Sequence, residues 1–294
     1  MKFSRIALLT ACVVAPAGMI VVANVSNVQA ADLTVSVPIG SASNYSVLGA
    51  STVTNTGPTT LARSLGLSPG TAVTGFPPGV VQAAGTIDIA NSSAAQAQSD
   101  LTAGYINAAG RPLNFTVPAD LGGQTLQSGV YATDGKGSLG LTGMLVLDGH
   151  NNSDSVFIFQ TDSTLTTASG SSIALINGAQ ACRVYFVVGS SATLGTGSSF
   201  VGTILAQASI TVTTGTAVRG RALARTGAVT LDSNVFSPPS CLPPQTGNAP
   251  GAPGAPGIPP TGSFSGPQLL IATLLVTLGV GAAIVSRRRP VMRS

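Results

Sequence analysis

The chain opens on an apolar run, Ile6 to Val22, behind Lys2 and Arg5. Val28-Gln29-Ala30-Ala31 follows, small residues at the spacing a signal peptidase reads. This predicts an export signal over 1–30, with an uncleaved membrane anchor as the alternative. Further on, short apolar runs alternate with Gly, Ser and Thr. Val156-Phe157-Ile158-Phe159, Val184-Tyr185-Phe186-Val187-Val188 and Thr203-Ile204-Leu205-Ala206 are β-branched or aromatic and bounded by turn formers, which predicts strands. Successive positions are apolar, as in strands buried on both faces. Residues 192–206 recur at an offset of 18 as 210–224: Ala192 falls on Ile210, Phe200 on Val218, Gly202 on Gly220 and Ala206 on Ala224. A third partial copy begins at Val229. A coil of that length suits three short strands and three tight corners, so the domain, 31–241, is predicted to be a mainly β solenoid.

One segment follows another period. Asn91 to Ala109 is Ala-rich, with Leu101, Tyr105 and Ile106 at helical spacing. Asn91, Ser92 or Ser93 can cap its start, and Gly110-Arg111-Pro112 ends it. A single helix over 91–109 is expected to lie on the solenoid face whose strands are apolar on both sides.

The C-terminal fifth of the chain changes character. Residues 242–267 are dense in Pro and Gly, a semi-extended linker. Residues 268–286 hold the apolar run Leu269 to Val285, at the short end of what spans a bilayer. Arg287, Arg288 and Arg289 open a basic tail, 287–294, which stays cytoplasmic and leaves the domain facing outward. Ile258-Pro259-Pro260-Thr261-Gly262, just before the span, resembles the Leu-Pro-x-Thr-Gly sorting signal of Gram-positive surface proteins, with Ile in place of Leu. The resemblance implies sortase cleavage between Thr261 and Gly262 and attachment to the cell wall. A plain membrane anchor is the alternative, and either displays the protein at the cell surface. Export also bears on the cysteines. Cys12 leaves with the signal, and Cys182 and Cys241 in an oxidising compartment predict one disulfide. The alternative is two free thiols too far apart to bridge.

Composition excludes several functions. Only 7% of residues are charged, there is no Glu, and all nine acids are Asp. The net charge of +4 comes from the two ends. Between residues 31 and 241 seven basic residues face nine Asp, so no clustered cationic surface exists for nucleic acid. The single histidine, His150, lies in a polar turn and would have to serve any Ser-His-Asp triad alone. No His/Cys cluster has metal-ligand spacing, and no cofactor is expected. Gly135-Lys136-Gly137-Ser138-Leu139-Gly140 matches G-x-G-x-x-G but is followed by strand-like sequence, so it fails the phosphate-binding context. Arg219, Arg221 and Arg225 form the only basic cluster, read as solvated. No enzyme is expected.

The next strand of each coil carries the candidate site. These strands read Thr164-Leu165-Thr166-Thr167, Thr193-Leu194-Gly195-Thr196, Thr211-Val212-Thr213-Thr214 and Thr230-Leu231-Asp232-Ser233. With Leu165, Leu194, Val212 and Leu231 pointing inward, alternation turns Thr164, Thr193, Thr211 and Thr230 outward in one column. Thr166, Gly195, Thr213 and Asp232 form a second. Thr likes strands in general, so this can be ordinary surface. Yet surfaces are usually kept soluble by Lys and Glu, not by uncharged Thr ladders. A rigid lattice of methyls and hydroxyls suits a ligand that is itself a lattice, such as ordered water or ice.

Asn55-Thr56-Gly57-Pro58-Thr59-Thr60, Ser68-Pro69-Gly70-Thr71, Gly75-Phe76-Pro77-Pro78-Gly79, Gly129-Val130-Tyr131, Ile176-Asn177-Gly178-Ala179, Gly202-Thr203-Ile204-Leu205-Ala206 and Gly227-Ala228-Val229-Thr230-Leu231 occur in this order. Together they resemble the DUF3494-type ice-binding protein family of microbes over about residues 40 to 237. The family implies a discontinuous three-faced β-solenoid (β-helix) with a long helix packed alongside, and antifreeze-type adsorption to ice through one flat face. More active members carry Thr-Ala/Gly-x-Thr/Asn repeats. Here Thr167-Ala168-Ser169-Gly170, Thr196-Gly197-Ser198-Ser199 and Thr214-Gly215-Thr216-Ala217 match at the first two positions and depart at the fourth. Candidate ice-contacting residues are therefore Thr164, Thr166, Thr167, Thr193, Thr196, Thr211, Thr213, Thr214, Thr216 and Thr230. The runner-up is a non-enzymatic surface adhesin binding polysaccharide or protein on the same solenoid.

Overall fold

A computed structural model describes residues 35–241. The expectations for 1–30, 242–267, 268–286 and 287–294, including Ile258 to Gly262, lie outside the described residues. Among the described residues no helix is long and apolar enough to cross a membrane. Strands of successive coils pair in parallel, and each coil turns through three walls. The 18-residue repeat holds in space: Ala192 pairs with Ile210, Phe200 with Val218, Gly202 with Gly220 and Ala206 with Ala224.

The stack is discontinuous. Tyr45–Gly49 pairs with Ala217–Ala224, Thr52–Thr56 with Val229–Asp232, and Thr60–Leu61 with Val235–Ser237. The first coils in sequence thus sit on the last. Helix α1 (Ser92–Ala109) runs between Ile87–Ile89, on the N-terminal coils, and the Phe115–Thr116 strand that begins the remaining coils. Asn91 caps it, its Oδ1 accepting from the Ala94 N–H at 2.9 Å, and Gly110 is its C-cap.

Two cores explain the unbroken apolar runs. Phe157, Phe159, Val184 and Phe186 point into the solenoid, while Ile158, Tyr185, Val187 and Leu205 point out toward Ala97, Leu101 and Ala108 of α1. Phe115, Tyr131, Phe159, Phe186 and Phe200 follow one another coil on coil, with ring centroids 4.7–5.4 Å apart; the last four are buried, and Phe115 at the end of the row is half exposed. Fully burying one such ring stabilises by about 1.5–3 kcal/mol.

Two kinds of glycine shape the corners. Gly170, Gly197 and Gly215, past the threonine strands, have φ of 69°, 65° and 70°, and a Cβ there would meet nothing within 4 Å. They are needed for the left-handed turn alone. Gly220, at the bend of the long strand, is needed for space, since a Cβ would come 1.8 Å from the Gly202 carbonyl oxygen. That bend corrects the reading of the arginine cluster. Arg219 is exposed on one wall, but Arg221 lies past the bend, on the helix wall, and is 7% exposed. Its Nε donates to the Ser43 carbonyl and its Nη1 to Thr203 Oγ1. Burial, then the charge of Arg63, pulls its pKa down to about 10.

Cys182 and Cys241 are bonded, with Cα atoms 5.5 Å apart, inside the range a disulfide spans.

Candidate functional site

The wall away from α1 that carries the threonines is a seven-stranded parallel sheet. Its spatial order is Leu139–Leu141, Leu165–Thr167, Ala192–Leu194, Ile210–Val212, Val229–Asp232, Thr52–Thr56 and Ala72–Thr74. Leu139, Leu165, Ala192, Ile210, Val229 and Val53 align and are buried. The residue after each points outward. That column reads Gly140, Thr166, Thr193, Thr211, Thr230, Thr54 and Thr74. Six threonines therefore stand on six adjacent strands, spanning about 24 Å at the usual interstrand spacing.

Outward positions two residues to either side make flanking columns. On one side stand Ser138, Thr164, Ser191, Ser209 and Thr52; on the other Thr142, Ala168, Gly195, Thr213, Asp232 and Thr56. All of these are half-buried or exposed. Asp232 is the one charge in the three columns. The hydroxyls of Thr166, Thr193, Thr211 and Thr74 donate to no protein acceptor among the described residues, so they are free for solvent. Others are held in place: Thr213 Oγ1 donates to the Leu194 carbonyl at 2.7 Å, and Thr54 Oγ1 to Thr230 Oγ1 at 3.4 Å. Thr214 Oγ1 and Ser233 Oγ both donate to the Asp232 carboxylate.

The structure revises the expected columns in three ways. The first coil shifts by two residues, because Thr166, not Thr164, pairs with Thr193. Thr164 joins the flanking column, donating to Ser138 Oγ at 3.1 Å. Thr167 and Thr216 are not surface residues, being 3% and 0% exposed. Thr167 Oγ1 accepts from the Gly195 N–H at 2.9 Å. Thr216 Oγ1 donates to the Gly195 carbonyl at 2.9 Å, and Asn234 Nδ2 to the Thr213 carbonyl at 2.8 Å, each fastening a corner to the coil beneath. Thr196 and Thr214 stay exposed at that corner, off the central column, with Thr196 Oγ1 3.3 Å from Thr213 Oγ1. Sequence reasoning missed Thr54 and Thr74, which extend the column from the other end of the chain.

His150 is exposed, 3.2 Å from Asp148 at a turn. Among the described residues no group of His, Cys, Asp or Glu could hold a metal ion.

A parallel solenoid has a helix along one wall and, along another, a threonine grid whose one charge is Asp232. The chain belongs to the Ice-binding-like family, whose model matches residues 47–237. It is 51% identical over 209 residues to an ice-binding protein of Nostoc sp. (strain HG1), covering 70% of this chain and 76% of that one. It is 34% identical to ice-binding protein K3-B1 of Typhula ishikariensis, over 64% of this chain and 83% of that one. The crystal structure of an ice-binding protein from the Antarctic ascomycete Antarctomyces psychrotrophicus superposes with a TM-score of 0.66 at 38% identity, covering 69% of this chain and 98% of that one.

Proposed function

We propose that the protein adsorbs to ice through the threonine grid and so inhibits growth or recrystallisation of the crystal it meets. One observation carries this reading: six aligned threonines on adjacent strands, at least four with free hydroxyls, on a wall with a single charge. Buried strands fix each methyl and hydroxyl in a repeating array, so little order is lost when the array meets ordered water. The activity is adsorption, with no catalytic step and no cofactor. The contact residues in this reading are Thr166, Thr193, Thr211, Thr230, Thr54 and Thr74, flanked by Thr164 and Thr213, with Thr196 and Thr214 at the rim.

We further propose that the chain is exported through residues 1–30 and held at the cell surface by its C-terminal segment. Supporting this are the apolar run before the arginines and the Ile258-Pro259-Pro260-Thr261-Gly262 sequence, at which a sortase would join Thr261 to the wall. Held there, the domain would attach the cell to ice or modify ice nearby.

The test is a polycrystalline ice film frozen with residues 31–241. Fine, stable grains and faceted single crystals are expected. Coarsening equal to that of heat-denatured protein would overturn the ice reading and favour the adhesin.

A further inference from the structure

The three walls meet at three corners, and the one opposite the threonine grid gathers both ends of the domain. Cys182 lies there, in the Ala181–Arg183 turn between Ser172–Ile176 on one wall and Val184–Val188 on the next. Ser36 Oγ is 2.6 Å from the Tyr185 hydroxyl, which itself donates to the Cys182 carbonyl at 2.9 Å. From the other end, Pro238 to Cys241 leave the last strand, Val235–Ser237, and return to Cys182. In the wall that holds Val235–Ser237, the strands at 172, 199, 217 and 235 are successive neighbours. The Ala181–Arg183 turn lies against Ser199–Ala206 and Ala217–Ala224, so the return carries the chain back over the last coils to Cys182. The chain spends its last described residues on reaching one particular turn.

The consequence concerns tension. Val235–Ser237 is three residues long and is the strand of the seam nearest the C-terminus, pairing with Ala217–Arg219 below and with Thr60–Leu61 of the N-terminal coils above. A pull applied directly at Ser237 would act on the end of this strand and break its few hydrogen bonds one after another. Loss of the strand would expose Phe236, 1% exposed in the fold, and leave the N-terminal coils held to the rest through the pairings of Tyr45–Gly49 and Thr52–Thr56 alone. With the bond in place the pull enters at Cys182, beside a strand buried along its whole length between two neighbours. Arg183 adds an ion pair to Asp154 at 2.6 Å on the same turn.

We infer that the Cys182–Cys241 bond is a mechanical clamp: it diverts tension on the C-terminal tether from the seam into the middle of the solenoid, at the corner farthest from the grid. The inference rests on the reading that residues beyond 241 tether the domain. It makes the clamp nearly irrelevant to free protein and decisive for protein under load.

Lys136 is the single lysine after residue 30, which gives a handle without a new thiol. The exported chain, its α-amine blocked, is held in optical tweezers between Lys136 and the C-terminus. Oxidised protein is compared with the same molecules after dithiothreitol and with the Cys182→Ser, Cys241→Ser double variant. The expected result is an early low-force event, releasing the seam, that appears only without the bond, while free protein of both forms shapes ice equally. A first event at the same force with and without the bond overturns the clamp. Should the double variant fail to fold, reduction of folded molecules in the trap gives the same comparison. Failure of the free oxidised protein to shape ice would sink the ice reading and leave the force comparison standing.

Discussion

Two walls of this solenoid share parallel pairing and coil-to-coil register, yet only one is built for a repeating ligand. The threonine wall carries threonine at six of the seven positions of its central column, with Gly140 at one end. The wall beyond the glycine corner aligns Met144, Ser172, Ser199, Ala217, Val235, Thr60 and Val80, large beside small and apolar beside polar. Met144, Val235 and Val80 are more than half exposed, and Arg219 stands in the next column. A regular backbone therefore gives both walls a lattice of positions; repetition of side chain turns only one of them into a lattice of chemistry.

The comparison breaks most sharply with a bulky residue on each wall. Thr211→Tyr at the centre of the grid is expected to abolish adsorption to ice, while Ser199→Tyr on the other wall leaves it intact. Both are surface changes, so thermal unfolding should shift by no more than about 0.5 kcal/mol equivalent. Retained adsorption in Thr211→Tyr, measured as fluorescent protein on a single-crystal ice surface, would move the site off this wall.

A smaller effect separates the two kinds of glycine. Gly220→Ala forces backbone on backbone and should cost about 3 kcal/mol or more, as overpacking does. Gly197→Ala meets empty space and carries only the left-handed penalty of about 1–2 kcal/mol. Denaturant unfolding of the pair checks the order; an equal cost would mean the bend can relax. Because Gly197 lies next to the grid, its variant also reads how far a loosened corner weakens adsorption.

The smallest effect is acid. Hydrogen bonds from the Ser41 hydroxyl and N–H, and from Gln96, hold the Asp100 carboxyl below the usual carboxylate range. A depressed pKa contributes stability that is full above the unfolded value, about 3.9, and is lost as pH falls through the folded one. Melting temperature should therefore be flat above about pH 5 and decline slightly below pH 4. Asp88, Asp120 and Asp148 are held low by hydrogen bonds in the same way, so Asp100→Asn should reduce that decline without removing it, and leave adsorption to ice at neutral pH unchanged.

How much of this was legible in the sequence follows from coil length and chain order. Coils at 192, 210 and 229 are 18 and 19 residues apart, so their columns align by eye. The step from Leu165 to Ala192 is 27 residues, because the Asn177–Gly178 turn and the Ala181–Arg183 turn are inserted, and alignment there slipped by two. Thr167 and Thr216 fell on the wrong side of the wall because Thr suits an inward corner as well as an outward strand. Thr54 and Thr74 were invisible for another reason: they repeat with the last coils but lie in the first. Arg221 misled because its neighbour Gly220 turns the strand between two walls. The helix, the strands buried on both sides and the disulfide could be read directly, since each has a local or compositional signal.

The discontinuous stack has a consequence for synthesis. Thr54 waits for a partner 176 residues downstream, so the grid cannot close until nearly all of the domain has been made. Contacts of such range form late and slowly. Meanwhile the N-terminal strands are left with open edges, and Thr52–Thr56, Thr60–Leu61 and Ala72–Thr74 are only five, two and three residues long, short enough to limit wrong pairings. A chain cut short before residue 217 would have α1, several coils and the row Thr166, Thr193 and Thr211, but not Thr230, which joins that row to Thr54 and Thr74. The full extent of the face is thus tied to chain length: all six threonines align only once Val229–Asp232 is in place.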